Sequence, residues 1–396
     1  MATFEAQMAK FEGPDLKWVD PVLKDGEKQI IALFHDECCF HTNDEAWSLW
    51  QVQFQFDTPH PMFLIQLKIL RLHEGEQPLR KKGRGGLIHV SDFICSKTGQ
   101  LILRDQNGKI VQDARKIIFP GANGDAWWDT EQLIVQIKSA IEIFEVAHPG
   151  CQALFIFDQS SAHASLPLDA LRAFDMNKSN GGKQRKQRDT IIPQSNPDPR
   201  YCRQPQSMTT PAGEAKGLKQ VLEERGFNVS KLKAKCSPVC PFESQNCCLA
   251  QLLSQQEDFT NQPSMLKTLI KGAGHECIFL PKFHCELNPI EMVSNCLLGL
   301  TNSADHCIQY WGWCKYRYRE HPKANFAAAK ERALQVPDAC PVEVIRRFIN
   351  RSGRFVEAYW SGLTGKAAAW AVKKQKQHCA VSERAMVAME NVNTPT

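Results

Sequence analysis

Three short apolar runs, each bounded by polar residues, most constrain what this chain can fold into. The runs are Ile30–His35, Ala153–Phe157 and Cys277–Pro281. Their length and composition are typical of buried strands. A carboxylate follows each run: Asp36 and Asp158 directly, and Glu291 after a short loop. Because strands distant in sequence can share one edge of a sheet, we expect the three acids to lie together.

Clustered carboxylates favour a metal site. Carboxylates repel one another and are difficult to ionise together unless a cation lies between them. Mg²⁺ takes oxygen ligands and keeps water or substrate phosphates in its remaining positions. Such a group is typical of metal-assisted phosphodiester cleavage. On spacing alone, acids that cap turns at the ends of strands remain an alternative.

The composition is that of an ordinary globular protein with a mildly basic surface. Hydrophobic residues make up 43% of the chain and charged residues 23%, with a net charge of +5. That charge permits a nucleic-acid partner without requiring one. No apolar stretch approaches the ~20 residues of a membrane span, so we expect no membrane association. Sixteen cysteines and no signal-like start at Met1–Glu5 favour reduced thiols in a cytosolic or nuclear protein.

The order of the predicted elements indicates an α/β fold. Leu87–Ile94 alternates like a half-buried strand. Asp129–Ala147 has apolar residues at helical spacing, with Thr130 as a plausible cap, and another helix is predicted from Leu168. Several strands, a helix, a strand, more helices and a further strand predict a mixed sheet flanked by helices.

The motifs around the three acids resemble a known family. They are His35-Asp36-Glu37, Phe157–Ala164, Lys282–Glu291, Gly181–Gln184, Gly217–Leu222 and Gly362–Lys366. Together they resemble the DDE-superfamily endonucleases of fungal mariner/pogo-like transposons, from about Lys10 to His378. The resemblance implies a ribonuclease H-like fold with a cysteine-containing helical insertion before the third acid.

The resemblance also implies a function. Asp36, Asp158 and Glu291 would be the catalytic residues and would bind two Mg²⁺ or Mn²⁺ ions. One ion would activate a water or a 3′ hydroxyl, and the other would stabilise the leaving oxygen. The expected partner is DNA (transposon ends and target), in the nucleus, with assembly into a homo-oligomer. The alternatives are an inactive or domesticated relic that acts as a DNA-binding or interaction protein, and a ribonuclease-type hydrolase.

Residues around the acids are candidates for supporting roles. His163, His284 and Asn288 would orient a metal ligand or contact phosphate, or would be structural side chains with ordinary hydrogen bonds. Two basic runs would contact the DNA backbone, although charge runs are usually solvated surface. Their candidate residues are Arg80, Lys81, Lys82, Arg84, Lys183, Arg185, Lys186 and Arg188.

Four cysteines form a second candidate metal site. Cys236, Cys240, Cys247 and Cys248 would bind Zn²⁺ through four thiolates. The adjacent pair Cys247-Cys248 is awkward for a tetrahedral site, and the spacing departs from paired C-x2-C motifs. Buried free thiols are the alternative.

These patterns divide the chain into five parts. They are a polar lead-in (1–28), the first part of the catalytic domain (29–176), a basic and proline-rich connection with the cysteine-containing insertion (177–271), the end of the catalytic domain with C-terminal helices (272–380), and a flexible tail (381–396). Two segments look inserted: 293–309, and about 51–71, where a hairpin loop of variable length is the alternative.

The segment 293–309 has features of a retained, in-frame intron. The family continues from a residue like Met292 directly into an aromatic run like Tyr310–Cys314, whereas here the whole of 293–309 intervenes. Val293-Ser294 can be encoded by a splice-donor sequence, and Ile308-Gln309 can end in the acceptor CAG. Either insertion would threaten activity, because metal sites require their geometry to hold within ~0.5 Å.

Sequencing of the mature transcript tests the intron hypothesis. We expect reads that join the codon of Met292 to that of Tyr310 in the spliced message. Mature transcripts that consistently contain the codons for 293–309 would refute it.

Overall fold

The computed structural model describes residues 2–12, 17–44, 83–241, 243–291, 309–363 and 365–374. Arg80, Lys81 and Lys82, the segment at about 51–71, most of 293–309 and the C-terminal tail lie outside these ranges. The chain divides into two compact units. The first unit is Met1–Ser160 with Ile270–Thr396, and the second unit is Ser161–Leu269. Within the described ranges, no helix is long and apolar enough to cross a membrane.

Strands and helices alternate along the chain. The strands are β1 (Lys10–Glu12), β2 (Lys17–Val19), β3 (Ile30–His41), β4 (Leu87–Cys95), β5 (Gly99–Gln100), β6 (Ile102–Arg104), β7 (Ile110–Asp113), β8 (Lys116–Ile118), β9 (Gln152–Phe157), β10 (Thr190–Ile191), β11 (Pro205–Gln206) and β12 (Glu276–Phe279). The helices are α1 (Thr130–Ala147), α2 (Leu218–Glu223), α3 (Leu249–Ser254), α4 (Glu257–Thr260), α5 (Met265–Gly272), α6 (Tyr310–Arg319), α7 (Phe326–Asp338), α8 (Val342–Trp360) and α9 (Gly365–Lys374).

A mixed sheet forms the centre of the first unit. Its strand order is β12-β9-β3-β4-β5, and β8 also pairs with β4. β12, β9 and β3 run parallel, whereas β4 is antiparallel to β3. The protein is therefore a mixed α/β protein with a mixed sheet flanked by helices, in agreement with the element order predicted from sequence.

Strand β3 is longer than its apolar run predicts. The run ends at His35, but the strand continues to His41, so Asp36 lies within a strand rather than at its end. The cause is a long-range partner: β4 pairs antiparallel with β3 from Leu33 to His41. The parallel pairing of β3 with β9 covers only Ile30–Phe34 of β3. Asp36 therefore lies just beyond this pairing.

The two faces of the sheet pack against different helices. On one face, strand residues such as Ala32, Phe34 and Phe40 share a core with buried residues of α6 to α9. On the other face, Gln136 of α1 accepts a hydrogen bond from the Ser91 hydroxyl (2.7 Å) and donates one to the Ser91 carbonyl (3.0 Å). α1 is capped by Asp129, not by Thr130 as predicted, because the Asp129 carboxylate accepts the Gln132 backbone N–H.

The second unit has its own apolar core, built mainly from α2, α3 and Phe259. Arg225 crosses this core with a fully buried side chain and forms two hydrogen bonds with the carboxylate of Asp258, at 2.9 and 2.7 Å. Such bidentate pairs are strong because the guanidinium matches the carboxylate geometry. The part of this unit that the sequence describes as a connection contains β10 and β11, which pair with each other.

The helix predicted from Leu168 does not form. The structure has only a 3-10 turn at Ala173–Asp175. The side-chain amides of Gln262 and Gln187 accept the backbone N–H groups of Leu171 and Arg172, each at 2.8 Å. Backbone donors satisfied by distant side chains have no need of a helix.

Candidate functional site

The register of the central sheet places Asp36 beside Asp158. β3 and β9 pair in parallel, with Phe34 opposite Ile156. Asp36 lies two residues after Phe34, and Asp158 lies two residues after Ile156. Since side chains alternate along a strand, both carboxylates lie on the same face and at the same end of the parallel pair. The chain leaves β3 for β4 on one side and leaves β9 for β12 on the other side. Crevices at such switch points are where open α/β sheets bind ligands.

A hydrogen-bonded loop carries Glu291 to the same edge. The loop follows β12, whose Phe279 pairs with Phe157 at the end of β9. Asn288, which is 1% exposed, donates its side-chain amide to the backbone carbonyl of His35 at 3.3 Å. The Glu291 N–H then donates to the carbonyl of Asn288 at 3.1 Å. Asn288 thus fastens the third acid to the residue that precedes the first.

The three acids act on one another electrostatically. Burial raises the pKa of Asp36 well above its usual range, and the charges of Glu37, Glu291 and Asp158 raise it further. Burial also raises the pKa of Glu291, to about 7, and the charge of Asp158 adds to this effect. Asp36 and Glu291 therefore lie close enough to Asp158 to be affected by its charge, and the role of the three acids as metal ligands stays a prediction.

This arrangement suits a divalent cation. The charge of Asp158 raises the pKa of both Asp36 and Glu291, and a cation near these carboxylates would offset that repulsion. The donor atoms are all oxygens, which fit hard ions such as Mg²⁺ or Mn²⁺ better than soft ones. Glu37, the chain neighbour of Asp36, faces the other way and accepts the Trp128 indole N–H at 3.0 Å.

The loop before Glu291 contains an acid that the sequence did not single out. Glu286 lies 2.7 Å from Nδ1 of His284 and accepts a hydrogen bond from the Tyr359 hydroxyl. Its charge contributes to the raised pKa of Glu291. His284, a predicted supporting residue, therefore contacts Glu286 within the loop. The sequence offered one signal for Glu286, which is its position five residues before the predicted ligand Glu291. Its contact with Tyr359 could not be predicted, because the two residues are 73 positions apart.

Asp92 lies opposite Asp36 in the sheet, and its hydrogen bonds are to residues of the core. It is 2% exposed and accepts hydrogen bonds from the Tyr310 hydroxyl (2.9 Å) and the Phe93 N–H (2.7 Å). Burial raises its pKa to about 7, while the nearby Arg115 opposes that shift. Asp92 thus ties β4 to the start of α6.

The basic candidates are mostly on the surface. Arg84 is exposed in the first unit. In the second unit Lys183, Arg185 and Lys186 are also exposed. Arg188 is partly buried and donates to the side chain of Gln262 at 2.9 Å. Exposed lysines and arginines are available to backbone phosphates, but exposure is also what solvated charges show.

The remaining candidates lie in the second unit. His163 is fully buried there. The four cysteines predicted as zinc ligands converge: Cys236, Cys240, Cys247 and Cys248 place their sulfur atoms within 4.8 Å of one another. The protein therefore has a candidate thiolate metal site in addition to the carboxylate group.

Backbone hydrogen bonds join the two chain segments that flank 292–308. The N–H of Tyr310 donates to the carbonyl of Pro289 (3.2 Å), and that of Trp311 donates to the carbonyl of Ile290 (3.1 Å). Counted without the segment 293–309, each donor is the fourth residue after its acceptor. This is the spacing of an α-helix, so α6 continues the backbone pattern begun at Pro289. The contact supports the view that 293–309 interrupts a helix that would otherwise follow Glu291 directly.

Neither protein-family models nor curated proteins give a match to this chain. The resemblance to DDE endonucleases therefore remains an inference from the motifs. What the protein does has to be proposed from the geometry of the carboxylate group and the residues around it.

The raised pKa values predict a pH-dependent stability for the metal-free protein. An acid whose folded pKa lies above its unfolded value binds more protons when folded, so stability falls as pH rises through that interval. For Glu291 the interval runs from 4.5 to about 7. We expect Glu291→Gln to stabilise the metal-free protein at pH 8, by on the order of 1 kcal/mol after allowance for solvent screening.

Urea unfolding at pH 5 and pH 8, with and without Mg²⁺, measures this effect. Mg²⁺ should stabilise the wild-type chain at pH 8, because a ligand that binds only the folded state adds to its stability, and should act less on Glu291→Gln. Glu142→Gln, which changes an exposed acid on α1, is the control and should behave like wild type. Equal pH dependence in wild type and Glu291→Gln would contradict the clustering.

The hydrogen bonds of Tyr310 and Trp311 with Pro289 and Ile290 predict that the segment 293–309 can be deleted. Joining Met292 to Tyr310 should give an uninterrupted helix and leave the chain folded. Removal of this segment should stabilise the chain by about 2 kcal/mol at most, since the entropic cost of joining two points of the chain grows only logarithmically with the number of residues between them. Thermal and urea unfolding measure the change. A chain with glycine and serine throughout 293–309 should match the full chain, and loss of cooperative unfolding on deletion would show that the segment is integral.

Proposed function

We propose that this chain is the catalytic region of a DDE-type, transposon-derived DNA endonuclease or transposase. Asp36, Asp158 and Glu291 would hold two Mg²⁺ or Mn²⁺ ions at the edge of the sheet. The observation that supports the proposal is the electrostatic effect of Asp158, at the end of β9, on both Asp36 of β3 and Glu291 of the loop after β12.

The architecture supports the finer fold assignment. The sheet combines antiparallel neighbours on one side with parallel strands on the other, and helices cover both faces. That arrangement is compatible with a ribonuclease H-like fold without being specific to it. The position of Asp36 and Asp158 just beyond the parallel pairing of β3 with β9 agrees with what the motif resemblance implies.

The residues of the chain would have distinct roles in cleavage. The carboxylates bind and orient the metal ions, and Asn288 keeps the Glu291 loop in register with Asp36. When bound, the ions would activate an attacking oxygen and stabilise the leaving oxygen. Water would attack the phosphorus, the P–O3′ bond would break, and the products would be a 3′ hydroxyl and a 5′ phosphate. In strand transfer the freed 3′ hydroxyl would attack target DNA in the same way.

Exposed basic residues would supply the affinity for DNA. Lys183, Arg185 and Lys186 are accessible in the second unit, as is Arg84 in the first. Contacts of this kind neutralise backbone phosphates and carry no sequence choice. A protein with this activity on chromosomal DNA would act in the nucleus.

A second candidate function is a DNA-binding relic without cleavage activity. The observation in its favour is the position of the segment 293–309, which begins just after Glu291 and Met292. A metal ligand followed so closely by an inserted segment sits where small displacements matter most. In this case the chain would bind DNA and leave it intact.

A nicking assay on supercoiled plasmid tests the proposed function. We expect cleavage that requires Mg²⁺ or Mn²⁺ and stops with a chelator. Asp158→Asn should reduce the rate by more than about 100-fold, since even residues that only orient metal ligands contribute 10- to 100-fold. Glu142→Gln should cleave like wild type.

The assay is run on both the full chain and the chain without 293–309. Cleavage by the shortened chain alone would identify the insertion as the defect. DNA binding without cleavage by either chain would establish the relic, and preferential cleavage of RNA–DNA hybrids would point to a ribonuclease. Undiminished nicking by Asp158→Asn would rule out the assigned site.

A further inference from the structure

The loop between α2 and α3 has little regular structure of its own. It runs from Glu224 to Cys248, and its described residues form turns and bends rather than strands or helices. Only a small apolar core lies next to it, and Cys236, Cys240 and Cys247 are partly buried against that core. Ordering a loop of this length costs conformational entropy, which its contacts have to offset.

The four sulfur atoms of the loop are arranged as metal ligands. All lie within 4.8 Å of one another, and Sγ of Cys240 is 3.7 Å from Sγ of Cys248. A disulfide would place two sulfurs ~2.05 Å apart, so this is not a covalent pair. Four sulfurs bound tetrahedrally to zinc at ~2.3 Å are separated from one another by ~3.8 Å. The observed separation matches an edge of that tetrahedron.

The backbone holds the sulfurs in place. Leu249 donates its N–H to the carbonyl of Lys233 (2.9 Å), and Ala250 donates to that of Ala234 (3.1 Å), which closes the loop on itself. Cys248 is fully buried at the start of α3, and its sulfur accepts the Gln251 N–H at 3.4 Å. Hydrogen bonds of this kind orient a ligating thiolate and favour its charged form.

Adjacent cysteines do not prevent a common site. The sequence suggests that Cys247 and Cys248 are awkward as joint ligands of one tetrahedral ion. In the structure both sulfurs nevertheless fall within the same 4.8 Å group as Cys236 and Cys240. The cysteines of the described residues form no disulfides, so all four thiols are available.

We propose that Cys236, Cys240, Cys247 and Cys248 bind one Zn²⁺ ion in a closed structural site that stabilises the second unit. Four thiolates leave no open position for water or substrate, which is the pattern of structural rather than catalytic zinc. On binding, the four thiols release their protons to solvent and form four Zn–S bonds, with no change in oxidation state. The site is independent of the carboxylate group and does not depend on the proposed cleavage of DNA.

Metal analysis of the full chain, purified in reductant without chelators, tests the proposal. We expect about one zinc per chain by elemental analysis and no comparable amount of iron or copper. Cys240→Ser and Cys236→Ser should lose the metal. Cys202→Ser is the matched control: it lies in the same unit, is partly buried, and its thiol donates to backbone carbonyls such as that of Gln194, so it should keep the zinc.

A second test uses the wild-type chain, so that its outcome does not depend on whether the cysteine variants fold. Removal of zinc by a strong chelator should lower the unfolding temperature, and added Zn²⁺ should restore it. Co²⁺ in its place should give the visible absorption of a tetrahedral thiolate complex, which Cys202→Ser retains. A reduced chain with no bound zinc would overturn the proposal, as would one whose unfolding temperature and thiol reactivity do not respond to added Zn²⁺.

Discussion

The parallel pairing of β3 with β9 is the interaction on which the candidate site depends. Backbone hydrogen bonds set the register, and a one-residue slip would turn every side chain of β3 to the opposite face. In the observed register Asp36 follows Phe34 on the core face, beside Asp158 at the end of β9. Electrostatics opposes this placement, since the neighbouring charges raise the pKa of Asp36. Burial and the neighbouring acids therefore both favour the neutral form of Asp36 in the metal-free protein.

The two units contain two different kinds of candidate metal ligand. In the first unit the candidate ligands are carboxylate oxygens, which suit hard ions that retain water and exchange substrate. In the second unit they are four thiolates, which suit zinc and enclose it completely. The difference in donor atoms would let each group select its own ion from a common supply. An open oxygen site fits a reaction, whereas a closed sulfur site fits the stabilisation of a loop.

Helix α6 supports the acidic site from the core. Tyr310 and Trp311, at the start of α6, are buried in the core of the first unit. Tyr310 donates to Asp92, while the N–H groups of both residues bond to Pro289 and Ile290, just before Glu291. The acid loop and α6 thus form one continuous backbone pattern despite the segment 293–309 between them. Gln309, the last residue of that segment, is buried and is the N-cap of α6, so the deletion tests whether Met292 can take its place.

The sequence by itself determined the elements and the chemically important residues. Bounded apolar runs marked the parallel strands, helical spacing marked α1, and acids and cysteines stood out because few other residue types bind metals. The tertiary structure alone decided the extent of β3, which continues past Asp36 because β4 pairs with it, and the absence of a helix at Leu168, where distant glutamines accept the backbone N–H groups. It also decided the contacts of Asn288 and Glu286 and the convergence of the four sulfurs. Local pattern records whether a segment is buried and with what period, but a partner far along the chain leaves no trace in that pattern.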